Sequence, residues 1–353
     1  MNYSAALFPL NTSGKSALVL AFAFLCLTGC GETAQNEATP ESIASATLDA
    51  GTSAIEELAP IRVAGRYWIE LTPLIVAANH FYPVQLPITN SGIPTITAGE
   101  ADIATNAETQ LLRETLNNQD MRIIATVTES FYRLVARRSA GIETLTDMAG
   151  KKIMVPLNTS AHYYLVVMLA SAGLTEDDVI IVPMPMPDPN NYNVGMDMMS
   201  DALVAGEVDM ISIWEPEPAD AIAQLGDDAI VFQDRSVYRE VFNLHARASD
   251  LANPEMRRSI VTFVRALLDA NDALRENPET YLPLVSSVTT FPEELIVQSW
   301  PEMAFPVRIV PDMLDVLVTE DVWVAKERDR APRSREELSQ YIDYSVVEEA
   351  LLQ

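Results

Sequence analysis

The sequence contains very little cysteine and histidine. Among its 353 residues there are two cysteines, Cys26 and Cys30, and three histidines. Both cysteines lie near the N-terminus, so the rest of the chain offers no thiol for a disulfide, a cysteine-based zinc site or nucleophilic catalysis. His80, His162 and His245 do not have the spacing of HExxH or of another paired-ligand motif. The sequence therefore predicts no metal site and no cofactor.

Common catalytic motifs and basic residues are also scarce. There is no GxSxG nucleophile elbow, no P-loop and no GxGxxG motif, so no catalytic residue is predicted. Lys and Arg number 23 against 50 Asp and Glu, which gives a formal net charge of −27. Because binding to phosphate backbones requires a positively charged surface, this balance excludes nucleic acid as a partner. Hydrophobic residues make up 48% of the chain, enough for one large domain or two.

The longest apolar run lies near the N-terminus and is too short to cross a bilayer. It extends from Ala17 to Leu27, about 11 residues, whereas a membrane-spanning helix needs roughly 20. That length is typical of a signal-peptide core. The following Leu27-Thr28-Gly29-Cys30 resembles the bacterial lipobox, in which the cysteine is acylated and becomes the new N-terminus. We expect a lipoprotein signal peptide over residues 1–29 and a lipid on Cys30. The alternative is an ordinary signal peptide with an incidental cysteine.

The next segment, residues 30–58, is rich in Ala, Thr, Ser and Glu and contains no aromatic residue. This composition predicts a flexible tether. A lipid followed by a tether would place the rest of the chain at the extracytoplasmic, periplasmic face of a membrane, anchored there as a lipoprotein.

The body of the chain alternates short apolar strands with helices. Strands are predicted near residues 61–64, 84–89, 102–105, 123–127, 133–137, 152–155, 179–182 and 209–213. Alternation at this spacing favours an α/β fold with largely parallel sheets. From about residue 253 onward, apolar residues recur at helical spacing, which predicts a helical C-terminal tail.

One short motif occurs twice. Ala98-Gly99-Glu100-Ala101-Asp102-Ile103 reappears as Ala205-Gly206-Glu207-Val208-Asp209-Met210. In each copy a helix is expected to end at the glycine, which adopts a left-handed cap at low cost, and an apolar strand follows. Each copy alone is a helix-to-strand connection. Its duplication at a domain-sized distance predicts two lobes of similar construction.

The order of motifs along the chain resembles that of a known family. The segments that carry the resemblance are Ala98–Ala104, Ile123–Arg138, Ile142–Pro156, Trp214–Pro216 and Asp343–Ala350. Together they are similar to the periplasmic substrate-binding proteins of ABC transporters, in the group for sulfonates, taurine, nitrate and thiamine precursors (NMT1-like). Each motif alone is weak, whereas their order and spacing over residues 60–352 are specific.

The resemblance implies a two-lobed α/β fold, the type II periplasmic-binding-protein fold, with hinge strands and a helical C-terminal tail. Lobe I is expected over 59–136 and 245–353, and lobe II over 137–244. In this family the lobes close on a small molecule, and the closed form is presented to a permease. The resemblance thus implies a monomeric binding protein whose partners are a small-molecule ligand, ABC permease subunits and, through its lipid, the membrane. It implies no enzymatic activity.

Candidate ligand-binding residues follow from the fold, because open α/β sheets bind ligands at the carboxyl ends of their strands. The residues at these positions are Arg66, Tyr67, Trp68, Asn90, Ser91, Gly92, Asn106, Glu108, Phe131, Tyr132, Thr159, Ser160, His162, Trp214 and Glu215. Each also has a structural interpretation. Ser91 and Ser160 would suit helix N-caps, and the two tryptophans would suit core packing. His245, in the predicted return crossover, is expected to be a hydrogen-bonded structural histidine.

The sequence leaves the ligand open. Arg66 together with helix N-termini favours a small organic anion, sulfonate-like or carboxylate. The aromatic side chains would equally suit a ring, such as a pyrimidine or thiamine precursor or an aromatic acid. Glu108 and Glu215 would suit a ligand that carries an amine. A sensor or an enzyme on the same scaffold is the remaining alternative, although the cysteine-rich motif of the related thiamine-biosynthesis enzymes is missing.

Overall fold

A computed structural model of the protein describes residues 58–184, 197–306 and 308–353. The predicted signal peptide, Cys30 and all but the last residue of the predicted tether lie outside these residues. Within them, no helix combines the length and the apolar character needed to cross a membrane.

Eleven strands and thirteen α-helices occur in the described residues. The strands are β1 (Val63–Ala64), β2 (Ile88–Thr89), β3 (Ile103–Ala107), β4 (Met121–Ser130), β5 (Arg133–Arg137), β6 (Lys152–Val155), β7 (Ile180–Pro183), β8 (Met210–Ile213), β9 (Ala229–Phe232), β10 (Glu240–Arg247) and β11 (Met303–Ala304). The helices are α1 (Thr72–Val76), α2 (Pro94–Thr97), α3 (Glu108–Glu114), α4 (Ser160–Ser171), α5 (Asp197–Val204), α6 (Glu217–Leu225), α7 (Ala248–Leu251), α8 (Pro254–Glu276), α9 (Leu282–Thr289), α10 (Glu293–Ser299), α11 (Met313–Glu327), α12 (Arg335–Ser339) and α13 (Ser345–Ala350).

The strands form two sheets with the same internal order. The first sheet runs β11-β4-β10-β3-β1-β2 and the second β7-β6-β8-β5-β9. In each, three parallel strands lie side by side and an antiparallel strand, β10 or β5, separates them from the next strand. We call the first sheet with its helices lobe I and the second with α4–α6 lobe II. The predicted α/β fold is confirmed, but each sheet is mixed where largely parallel sheets were expected.

The chain passes between the sheets twice. It leaves lobe I after β4 through Phe131 and Tyr132, and it returns after β9 through residues 233–239. The boundaries expected from the sequence, after 136 and after 244, lie inside β5 and β10, several residues after the two crossovers. The apolar pattern of a strand shows that it is buried but not which sheet it joins.

The repeated motif forms the same structure in both lobes. The glycine of each copy is left-handed, with φ of 72° and 77°. The aspartate that follows, Asp102 or Asp209, accepts a hydrogen bond from the backbone N–H of Arg62 or Lys152, at 2.8 and 2.9 Å. Each aspartate thus ties the start of its own strand to the start of the neighbouring strand. The predicted glycine caps are confirmed, and the duplication is structural.

A buried carboxylate fixes the helical tail. Asp321 of α11 has an exposure of 0% and accepts hydrogen bonds from the guanidinium groups of Arg330 and Arg333. Arg333 also donates to the carbonyl of Leu112 in α3, at 2.8 Å. The charged run 326–335 therefore folds back onto the core through two of its arginines.

We expect Asp321→Asn to lower the free energy of unfolding by about 3 kcal/mol at pH 7, because it leaves two partly buried guanidinium groups without their counter-charge. Burial opposes ionisation of Asp321, but its hydrogen bonds from Arg330 and Arg333 hold its pKa below the usual value. The stabilisation is therefore present at neutral pH and is lost as the pH falls through that lowered pKa. Denaturant titration measures both effects.

The matched control is Asp315→Asn, since Asp315 pairs with Arg335 on the surface, where both side chains are more than half exposed. Little change in unfolding is expected for it. Equal destabilisation by the two substitutions would contradict the role given to Asp321.

Candidate functional site

The carboxyl ends of the strands in the two sheets face each other, and the residues there bring the lobes into contact. Trp68 follows β1 in lobe I, and Trp214 follows β8 in lobe II. Their ring centroids are 4.8 Å apart at an interplanar angle of 46°. Trp214 is buried and Trp68 is half-buried, and neither indole N–H has a hydrogen-bond partner within the described residues. Both tryptophans therefore lie where the lobes meet, which we call the interface.

A second contact across the interface centres on Glu240, the first residue of β10. Its Oε1 accepts hydrogen bonds from the Tyr132 hydroxyl at 2.7 Å and from the Ser160 hydroxyl at 3.2 Å. Tyr132 and Ser160 are themselves hydrogen-bonded at 2.9 Å. Tyr132 lies in the first crossover and Ser160 opens α4, so this network joins lobe I, the hinge and lobe II. Burial raises the pKa of Glu240 well above its usual value.

Two more buried carboxyl groups lie beside the second crossover. Glu108, at the start of α3, accepts hydrogen bonds from the Tyr238 hydroxyl at 2.7 Å and from the Val241 backbone N–H at 2.8 Å. It is also hydrogen-bonded to Glu320 of α11. Burial raises the pKa of both carboxyl groups. A hydrogen bond between two carboxyl groups requires a proton on one of them.

Glu70 differs from the other acids because no residue compensates it. It is 1% exposed, and in the described chain neither of its carboxyl oxygens accepts a hydrogen bond from another residue. Burial, with a smaller contribution from nearby Glu215, raises the pKa of Glu70 to about 8. Glu215 itself forms a buried ion pair with Arg133 at 2.6 Å, yet burial still raises its pKa.

We call Glu70, Glu108, Glu240 and Glu320 the carboxyl cluster. Of these four, the sequence analysis singled out Glu108 alone. A signal for Glu70 was available, since it stands within the strongly apolar stretch WIEL. A charged residue in such a stretch is buried with its neighbours and has to be neutralised or paired. Among the described residues, no group of three or more His, Cys, Asp or Glu side chains is arranged to hold a metal ion.

Several residues singled out in lobe I serve the loops that shape the interface. The Tyr67 hydroxyl donates to the carbonyl of Ile88 at 2.6 Å, and the Tyr67 N–H donates to Asn90 Oδ1 at 3.3 Å. Asn106 accepts from the neighbouring backbone N–H of Ala107 at 2.9 Å. A Cβ at Gly92 would lie 3.0 Å from Asn106 Nδ2, so this glycine permits a close approach.

Two further residues of lobe I flank these loops. Ser91 donates its backbone N–H to the carbonyl of Thr89 and does not cap α2, whose N-cap is Ile93. Arg66 is half-buried between β1 and Trp68.

The remaining residues singled out from the sequence have partners outside the carboxyl cluster. Thr159 is the N-cap of α4, accepting from the His162 N–H, so Ser160 is the first helical residue and not the cap. The His162 ring is hydrogen-bonded to Glu176 at 2.7 Å. Phe131 lies under the guanidinium group of Arg235, 4.4 Å from the ring centroid. None of these contacts by itself indicates ligand binding.

His245 is buried in β10 and has the structural role expected from the sequence. Its Nδ1 lies 3.2 Å from the carbonyl oxygen of Ala104 in the neighbouring strand. Burial lowers the pKa of His245 to about 4, so the ring is neutral at physiological pH.

A family model supports the resemblance seen in the sequence. The model of the family described as NMT1/THI5 like matches residues 85–281. The matched segment is more than half of the chain, and it extends from just before β2 through all of lobe II to just beyond α8.

Individual relatives are more distant. A curated sequence from Brucella abortus (strain 2308), named as a candidate binding protein, is 26% identical over 153 residues, 42% of this chain and 43% of that protein. The alignment thus spans less than half of the length of the curated relative.

Solved structures share the fold over most of their length. The periplasmic aliphatic sulphonate binding protein SsuA from Escherichia coli has a TM-score of 0.64 at 15% identity, covering 81% of this chain and 92% of that chain. The desulfurization enzyme DszB has a TM-score of 0.59 at 15% identity, covering 83% and 99%. At these identities the likeness concerns the fold alone, and the predicted two-lobed periplasmic-binding-protein fold is confirmed.

We expect Glu70→Gln to stabilise the protein at pH 8 by about 2 kcal/mol, with no effect near pH 4. Between the unfolded and folded pKa values of Glu70, the folded chain retains a proton that the unfolded chain releases, so the free energy of unfolding decreases as the pH rises. Glutamine does not ionise in this pH range, so the variant lacks this pH dependence. Denaturant titrations at several pH values give the difference in the free energy of unfolding between variant and parent. This difference separates the ionisation of Glu70 from that of Glu215, Glu240 and Tyr132, which face it.

The control is Glu207→Gln, since Glu207 is exposed in the turn of the second repeat copy. Its difference from the parent should not vary with pH. A pH-independent difference for Glu70→Gln as well would contradict the burial of an uncompensated carboxyl group.

Proposed function

The chain belongs to the NMT1/THI5-like family, and we propose that it is the extracytoplasmic solute-binding protein of an ABC importer. It holds a small molecule between its lobes and delivers it to the permease. The family suspected from the sequence motifs is thus the family of this chain. The observation that carries the proposal is the interface, where two lobes of equal strand order meet through aromatic and carboxyl side chains with unused hydrogen-bonding capacity.

The connections between the lobes suit opening and closure. The first crossover is Phe131 and Tyr132 and the second is residues 233–239, so the two lobes can rotate about short segments without disturbing either sheet. In the structure Trp214 and Ser160 of lobe II already contact Trp68 and Glu240 of lobe I, so these contacts would have to separate to admit a ligand. A ligand between them would be enclosed on both sides and removed from water.

Binding without turnover is the activity that these residues support. The fold also occurs in a desulfurization enzyme, so the fold does not decide between binding and catalysis. In this chain both cysteines precede the described residues, and the hydroxyl of Ser160 faces a carboxyl group and a tyrosine with no histidine among its hydrogen-bond partners. A nucleophile paired with a general base is therefore not assembled there.

The ligand class also belongs to the proposal. The sulfonate-like or carboxylate anion expected from Arg66 stays a prediction. The carboxyl cluster weighs against it, because a buried anion beside Glu70 or Glu240 would meet like charge or have to share their protons. The alternative that the sequence left open, a ring bearing nitrogen, fits Trp68 and Trp214 better.

We expect the full chain, purified in detergent without a refolding step, to retain a small molecule that native mass spectrometry detects and that is recovered with its mass unchanged. Trp214→Ala should reduce the retained fraction about tenfold, since it removes one wall of the site. Tyr344→Ala is the control, because Tyr344 is 44% exposed at the start of α13. Chemical conversion of the retained molecule, or equal retention by both variants, would contradict the proposed function.

We further propose that Cys30 carries the lipid that anchors the protein to a membrane. The chain provides its own control, because Cys26 lies four positions earlier within the apolar run. Cys30→Ser should move the protein from the membrane fraction to the soluble fraction of host cells, whereas Cys26→Ser should leave it membrane-bound. Fractionation with immunodetection measures this. Membrane retention of Cys30→Ser at the parent level would exclude acylation at this residue.

A further inference from the structure

We infer that the molecule held between the lobes carries a positive charge beside a ring or another flat apolar body. This inference rests on the proposed function, because it assumes that the interface is the binding site. It assigns the site to a chemical class opposite in charge to the anion expected from Arg66.

The first observation is the set of unused acceptors in the carboxyl cluster. Both oxygens of Glu70, one of Glu240 and one of Glu320 are buried without a hydrogen-bond donor from another described residue. A buried carboxyl oxygen without a donor destabilises the folded chain. A ligand with N–H donors would supply what these oxygens lack.

The second observation is the distribution of cations. In the described part of the chain, no Arg or Lys forms an ion pair with a member of the carboxyl cluster. Arg133, the cation at this side of the interface, is paired with Glu215. Arg239, near Glu320, is paired with Glu129 and Asp312. Because charges attract more strongly inside a protein than in water, the charge of the ligand contributes strongly to its binding there.

The third observation concerns side chains other than carboxylates. Trp68 and Trp214 present two aromatic rings from opposite lobes, and cations and flat rings bind to such faces. The hydroxyl of Ser130, which is fully buried and directly opposite Glu240 in the β4–β10 ladder, has no partner among the described residues. The Ser130 hydroxyl and the two indole N–H groups are hydrogen-bond donors without an acceptor, and the carboxyl oxygens are acceptors without a donor. One bound molecule could satisfy both kinds of group.

The arrangement also explains why closure would depend on charge. With Glu70 in lobe I and Trp214 in lobe II, a cation between the lobes is attracted by one and stacked by the other. Without it, burial raises the pKa of Glu70 to about 8, so this carboxyl group is mostly protonated at neutral pH. A ligand of the right charge therefore contributes most of its binding energy in the closed form.

Three probes of equal shape test the charge directly: benzamidine, which is a cation, benzamide, which is neutral, and benzoate, which is an anion. They are added at about 10 mM to the full chain in detergent at neutral pH, since a ligand that binds only the native state raises the midpoint of thermal unfolding. Tryptophan fluorescence, to which Trp68 and Trp214 contribute together with Trp300 and Trp323, gives the apparent affinity. We expect the strongest stabilisation by benzamidine and none by benzoate.

Glu70→Gln and Glu240→Gln should each weaken benzamidine binding about tenfold, because each removes one site of negative charge while keeping the side-chain size. Glu207→Gln should leave it unchanged. Circular dichroism of each variant confirms that it is folded. Stabilisation by benzoate equal to that by benzamidine, no response to benzamidine, or full binding by both cluster variants would overturn the inference.

The outcomes also separate this inference from the function beneath it. If ethanesulfonate, added as a fourth probe, binds while benzamidine does not, the solute-binding function stands and the inference of a cation is wrong. If the molecule retained on purification is chemically converted, the solute-binding function itself is wrong.

Discussion

A carboxyl group taken out of water has to be paired, hydrogen-bonded or protonated, and the interface between the two lobes is built around that requirement. Glu215 is paired with Arg133, while Glu108 and Glu240 accept hydrogen bonds from tyrosine hydroxyl groups of the crossovers. Glu70 has no such donor from the described residues. The lobes thus meet at a folded region in which some buried carboxyl oxygens lack a hydrogen-bond donor or a counter-charge. A molecule that donates hydrogen bonds to these carboxyl oxygens would stabilise the closed form of the protein.

The duplicated construction of the lobes positions this region. Because both sheets have three parallel strands followed by an antiparallel strand, their carboxyl edges present equivalent loops, and Trp68 after β1 faces Trp214 after β8. The aspartates of the repeated motif hold the strand starts in register at the opposite edge of each sheet. The edge of each sheet that these aspartates hold therefore lies away from the interface. The backbone rotations needed for opening would occur in the short crossovers.

Much of the fold could be predicted from the sequence, since apolar periodicity and the repeated AGE-x-D motif are local signals. The positions of Trp68, Ser160 and Trp214 at the interface followed from the rule that ligands bind beyond the carboxyl ends of strands. The lobe boundaries could not be predicted, because β5 and β10 are apolar strands whose sheet is decided by pairing partners distant in sequence. Glu320 was missed for the same reason, as its neighbour Glu108 is brought to it by the packing of α11 on α3.

The central claim is that a small molecule lies between Trp68 and Trp214, beside Glu70 and Glu240. The crystal structure of the full chain, purified from its host without removal of bound molecules, is the most direct measurement. Our account predicts that the two indole rings, whose centroids are 4.8 Å apart in the structure, lie farther apart with continuous electron density between them, and that a nitrogen lies within hydrogen-bond distance of a Glu70 oxygen. Indole rings still at the 4.8 Å separation in the presence of a bound molecule, with the density for that molecule elsewhere on the protein, would contradict it.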